Sequence, residues 1–110
     1  MTDVTPLLTA VDRFADRLRA LPQSTLTRGA AAEGLALARE LARRAQHIEE
    51  PGGEPRTMPD IGVFGVGDQV AVAGHDLAEA LRRVPGAEAE VADAVALVSA
   101  AARSAEPPLR

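Results

Sequence analysis

Apolar residues recur along this chain at alternating spacings of four and three, in four separate stripes. The first is Leu7, Val11, Phe14, Leu18 and Leu21, and the second Gly34, Ala38, Leu41, Ala45 and Ile48. The third is Val70, Gly74, Leu77, Leu81 and Val84, and the fourth Val91, Val95, Val98, Ala102 and Ala105. That spacing gives each segment one apolar face when it is wound as a helix. Four one-sided helices can hide those faces only against one another. The expected fold is all-α, an up-down antiparallel four-helix bundle formed as a single domain over residues 1–110.

Punctuation along the chain places the ends of these helices. Thr5 reads as the cap of the first helix, with Pro6 at the first helical position, where a missing N–H costs nothing. Pro22 closes that helix, and Ser24, Thr25 and Thr27 compete to cap the second, which runs to about Glu49. Residues 49–59 contain Pro51, Gly52, Gly53 and Pro55, cannot continue a helix, and read as a flexible surface loop. The links around Pro22 and Pro85-Gly86 are short, and short links favour antiparallel hairpins. Two helical hairpins joined by the Pro/Gly loop are therefore expected. Residues 60–67 remain open between helix, loop and strand, because Gly67-Asp68 is also a hairpin-turn signal while three glycines weaken a helix. From Asp68 onward the third stripe favours helix. Residues 106–110, with Pro107-Pro108, read as a disordered tail.

Composition changes the picture in two ways. The apolar share is 46%, but Phe14 and Phe64 are the only aromatic residues and alanine is abundant. Alanine buries little area, so the core should be tight but thin, which leaves self-association as a homodimer open. The net charge is −4, and every basic residue is arginine. Without lysine, an aromatic platform or a basic run, no nucleic-acid partner is expected. No segment is a membrane-spanning candidate. The early acidic residues Asp3, Asp12 and Asp16 do not suit a signal peptide, and cysteine is absent, so the expected location is cytoplasmic.

Candidate chemistry rests on carboxylates and two histidines. The order His47, His75-Asp76, Asp93 resembles the HD-domain metal phosphohydrolases, in which histidines and carboxylates gather a divalent metal that activates water. Asp76 and Glu79 lie three apart on the third helix, and Glu90 and Asp93 three apart on the fourth. An i, i+3 pair shares a helix face, and two such pairs on neighbouring helices are a set of oxygen ligands suited to Mg²⁺. The run from Glu88 to Leu97 resembles the E-x-x-D helix of the MazG-like nucleotide pyrophosphohydrolases. The resemblance implies a Mg²⁺-dependent enzyme with Asp76, Glu79, Glu90 and Asp93 as metal ligands. The first pair departs from the family's Glu-x-x-Glu.

The same charges have a simpler account. Glu88, Glu90 and Asp93 fall in the first turns of a helix, where the dipole favours negative charge. Glu79 is placed to pair with Arg82 and Arg83, and Glu40 with Arg43 and Arg44. The small-residue ridge Ala30, Gly34, Ala38, Ala42 permits close helix approach, by default within the bundle and alternatively as a dimer seam. The leading expectation is a non-enzymatic bundle acting as an interaction or regulatory partner, with no catalytic residues and no cofactor. Its four carboxylates should then diverge. The Mg²⁺-dependent pyrophosphohydrolase is the alternative.

Overall fold

A computed structural model of the chain describes residues 1–106. Among them are four long helices and no strand. They are α1 (Thr5–Ala20), α2 (Ala31–Glu49), α3 (Val66–Arg82) and α4 (Glu88–Ser104). The all-α four-helix bundle is as expected. The stretch between Asp60 and Gly67 holds loop to Gly62, a 3₁₀ turn at Val63–Gly65, and the start of α3. The expected tail at 106–110 lies outside the described residues except for Glu106, whose carboxylate is 3.6 Å from Arg17. No described helix is long and apolar enough to cross a membrane.

The stripes do most of the packing. Leu7, Val11, Phe14 and Leu18 are buried on α1, and Leu41 and Leu77 are closed to solvent at mid-helix. The fourth stripe is rotated slightly from expectation. Val91 and Val98 are buried, but Ala94 replaces Val95 at the centre of the contact. Capping also differs at the first helix. Thr5 is already helical, and the acceptor is Asp3, whose carboxylate receives the Thr5 N–H at 2.9 Å. That bond holds the Asp3 carboxyl below its ordinary pKa.

The path between helices departs from paired hairpins. α3 packs most extensively against α2 and next against α1, whereas α1 barely meets α2, and α3 barely meets α4. The helices of each expected hairpin, α1 with α2 and α3 with α4, therefore sit on the diagonals. A Cβ added to Gly74 would fall among the methyl groups of Val11, and Arg19 bonds Asp68 at 2.8 Å, so α1 and α3 are antiparallel neighbours. A Cβ on Gly34 would lie 2.8 Å from Val66 Cγ2, near the starts of α2 and α3. Ile48 shares a cleft with Leu77 and Leu81 near their ends. Those two helices thus run parallel. α4 lies parallel to α1, from the Thr2–Ala87 bond at one end to Arg17 and Glu106 at the other. The order of directions is up, down, down, up, with one long crossover.

The physical cause lies in the two short links, which span the bundle's ends instead of turning tightly. After Pro22, residues Gln23–Thr25 form one helical turn and Leu26–Ala30 a π-helical turn, broken by Gly29 at φ +153°. Leu26 and Ala30 are buried, so this segment plugs the end of the bundle on its way across. At the opposite end Gly86 takes φ +69°. There the buried Thr2 hydroxyl donates to the Val84 carbonyl and accepts the Ala87 N–H at 3.0 Å. Because α2 and α3 are parallel, the chain must walk back the whole length of α2, roughly 28 Å at 1.5 Å per residue. Residues 50–62 make that return.

Candidate functional site

The returning chain is fastened to the helices at successive points. The Gln46 side-chain amide donates to the Glu54 carbonyl, and its oxygen accepts the Arg56 N–H at 3.1 Å. Arg39 donates to the Met58 carbonyl at 2.9 Å, and the buried Gln69 donates to the Pro59 carbonyl at 2.7 Å. Asp60 then accepts the Gly62 N–H at 2.8 Å, and Gly62, at φ +97°, turns the chain into the 3₁₀ segment. A non-glycine residue there would be strained.

This local path decides where Ile61 and Phe64 go. Ile61 lies across Gly65, where an added Cβ would come within 2.6 Å of its Cδ1. Even so, Ile61 is 60% exposed and Phe64, one of two aromatics in the chain, is 72% exposed. Val72, two turns further on α3, is 58% exposed. Among the described residues, apart from Met1, these are the large hydrophobic side chains that face solvent, and all fall between residues 61 and 72. Beside them opens a cleft of about 370 Å³ between α2 and the crossover. Its lining is mostly apolar, from Leu26, Leu35, Ala36, Val63 and Val66, with Arg39 and Asp60 among its polar members.

A second cleft, of about 270 Å³, lies between α2, α3 and α4. Ile48, Leu77 and Leu81 line it together with Arg43, Arg44, His47 and Glu90. Its arginines are already engaged. Glu40 accepts from Arg43 at 2.6 Å and from Arg44 at 2.8 Å, and these bonds hold its carboxyl down to about 2. One carboxylate between two guanidiniums, with Glu90 alongside, leaves little net charge to attract an anion.

The four carboxylates proposed as metal ligands take separate positions. Asp76 lines a third cleft with Ala42, Ala45, Thr57 and Met58. Glu79 accepts from Arg82 at 2.6 Å and Arg83 at 3.0 Å, and its pKa is lowered, chiefly by the Arg82 bond. Glu90 belongs to the cleft beside His47, and Asp93 is exposed on α4. Because α3 and α4 are diagonal, their i, i+3 pairs do not sit on neighbouring helices. Among the described residues no three histidine, aspartate or glutamate side chains are grouped to hold a metal ion. The His47, His75-Asp76, Asp93 order is likewise not gathered, since His75 Nε2 turns toward α1 and meets Asp12 Oδ1 at 2.7 Å.

The small-residue ridge on α2 is used inside the bundle. Ala30, Gly34 and Ala38 are buried, and Gly34 receives Val66 and Leu18, so that ridge is not available as a dimer seam. The surface at Ile61 and Phe64 did have a sequence signal. Both residues are large and apolar and belong to none of the four stripes.

No protein-family model, curated protein or solved structure matches this chain significantly.

Proposed function

We propose that this chain is a non-catalytic bundle that works by docking to another protein, as an interaction or regulatory partner. One observation carries the reading: Ile61 and Phe64 stand exposed beside a mostly apolar cleft, on a domain whose other large hydrophobics are largely packed away. Exposed apolar side chains scattered singly need no explanation, but a group of them around a concavity marks an interaction surface. Aromatic anchors of this kind contribute most at protein interfaces. The partner is either a second copy of the chain or a different protein. The absence of cysteine fits a cytoplasmic setting.

A photo-crosslinking amino acid at position 64, with position 100 on the outer side of α4 as control, tests the reading in the native cells. The expected result is a discrete protein adduct from position 64 and none of comparable yield from position 100. Equal, diffuse labelling from both would overturn it. So would Mg²⁺-dependent release of pyrophosphate from a nucleoside triphosphate, lost in Asp93→Asn, which would promote the pyrophosphohydrolase reading.

A further inference from the structure

We propose that the cleft between α2, α3 and α4 binds a free α-amino acid with a branched apolar side chain. This cleft shares no lining residue with the one beside Ile61 and Phe64, so the two readings stand or fall separately. Its floor is apolar. Leu77 and Leu81 are buried there, and Ile48 is half-buried beside them. Its rim carries opposite charges on two helices, Arg43, Arg44 and His47 on α2 and Glu90 on α4. Glu40 accepts from both Nε and Nη2 of Arg43, but only from Nε of Arg44. Among the described residues, the terminal nitrogens of Arg44 and the side chains of His47 and Glu90 have no hydrogen-bond or ion-pair partner. Opposite charges thus face one small space without closing on each other.

The chemistry of the occupant follows from that arrangement. A simple anion would meet Glu90 as a like charge, and a simple cation would meet Arg44. A molecule complementary to the whole rim carries both charges at one end and an apolar body at the other. An α-amino acid has that form. Its carboxylate accepts from the Arg44 terminal nitrogens and a His47 ring N–H, its ammonium donates to Glu90, and its side chain rests on Leu77, Leu81 and Ile48. Size selects the side chain. A cavity of about 150 Å³ holds benzene, and drug-sized ligands take about 300–1,000 Å³. A cleft of about 270 Å³ therefore suits roughly ten non-hydrogen atoms, the size of leucine or isoleucine. The charged end stays at an exposed rim and keeps much of its water, so little desolvation opposes binding. Exposed ion pairs also contribute little each, and the expected dissociation constant is about 0.1–1 mM.

Titration of L-leucine into the full, isotope-labelled chain near neutral pH, read by amide chemical shifts, tests this. Shifts at Ile48, Leu77 and Leu81 should move together and saturate with a dissociation constant of about 0.1–1 mM. Isocaproate lacks the ammonium and isopentylamine lacks the carboxylate, so each should bind at least about fivefold more weakly. Two variants then separate the charges. Glu90→Gln should weaken leucine and isopentylamine by about fivefold and spare isocaproate. Arg44→Gln should weaken leucine and isocaproate and spare isopentylamine. Glu90 is exposed and Arg44 half-exposed, so both variants should fold, which circular dichroism checks. The absence of saturable shifts at the three floor residues up to about 20 mM leucine would overturn the proposal. Equal binding of the three ligands, or a loss common to all three in either variant, would do the same.

Discussion

α3 is flanked by two helices, and the two sides of it are built differently. On the α1 side the neighbours are antiparallel, and Gly74 and Gly67 let Val11, Ala15 and Arg19 approach the α3 backbone directly. On the α2 side the neighbours are parallel, Gly34 gives one close approach, and a returning segment runs alongside. The three clefts described above are each lined in part by residues 31–49 of α2, and none by a residue of α1. Direct helix-on-helix contact fills space with side chains in low-energy rotamers. A groove propped by extended chain does not fill so evenly, because the crossover meets α2 through polar side chains and carbonyls and not through an apolar stripe. The α1 side is closed by direct contact, whereas the α2 side, where α3 packs most extensively, keeps clefts along the returning segment.

The sharpest way to break the comparison is to cut its shared core. Leu77→Ala and Leu41→Ala should each cost about 2–5 kcal/mol by urea denaturation, since both side chains are closed to solvent. In a small domain that is a large part of the total stability. A loss under about 1 kcal/mol at both sites would mean the core can collapse around the gap. Gly74→Ala should cost about 1–3 kcal/mol, because its methyl group lands on Val11. Ala36→Leu, on the cleft side, should stay within about 0.5 kcal/mol of wild type. If the two cost the same, the contrast between the two sides is wrong. Thr2→Val tests the clasp at the end of the bundle. It removes the acceptor of the buried Ala87 N–H and should cost about 1–3 kcal/mol.

The smallest expected effect is electrostatic. The Glu40 carboxyl is held down to about 2 in the folded chain, against an ordinary 4.5, by Arg43 and then Arg44. A carboxyl with a depressed folded pKa contributes its stabilisation fully above the unfolded value and loses it as pH falls through the folded one. The contribution is therefore present above about pH 4.5 and fades toward pH 2. Solvent reaches the Glu40 side chain, which limits the effect to about 1 kcal/mol or less. Glu40→Gln should lower stability slightly at pH 6 and flatten the decline in that acid window. Parallel curves for wild type and variant would show that the pair contributes nothing.

The elements of this fold were legible and their arrangement was not, for a reason visible in particular residues. Leu7, Val11, Leu41 and Leu77 announce their burial because helical periodicity is a local property. Whether a short link turns tightly or crosses a diagonal is not local. It depends on Leu26 and Ala30 plugging one end, on Gly29 breaking the helix, and on Thr2 reaching across the other end. None of these carries a pattern before the partners are known. The carboxylate pairs on α3 and α4 stay apart for the same reason, since spacing puts each pair on one helix face but their helices are not neighbours. The surface at Ile61 and Phe64 was hidden by a competing signal, the Gly67-Asp68 turn that also suggests a strand hairpin.

The diagonal placement has a consequence for how the chain comes to its native state. A helical hairpin can bury its own apolar faces, so a bundle of two hairpins contains two units able to form separately. Here residues 1–49 contribute α1 and α2, which scarcely touch, and the other half contributes α3 and α4, which scarcely touch either. Neither half has an interior until the other arrives. The bundle is interleaved, and its contacts join residues distant in sequence, such as Thr2 with Arg82 and Arg17 with Glu106. Partial opening into a stable half has no structural basis, so the whole domain should exchange its core amide protons as one cooperative unit. For a helical protein of this size it should also fold slowly, since every interior contact waits on the closure of a long loop.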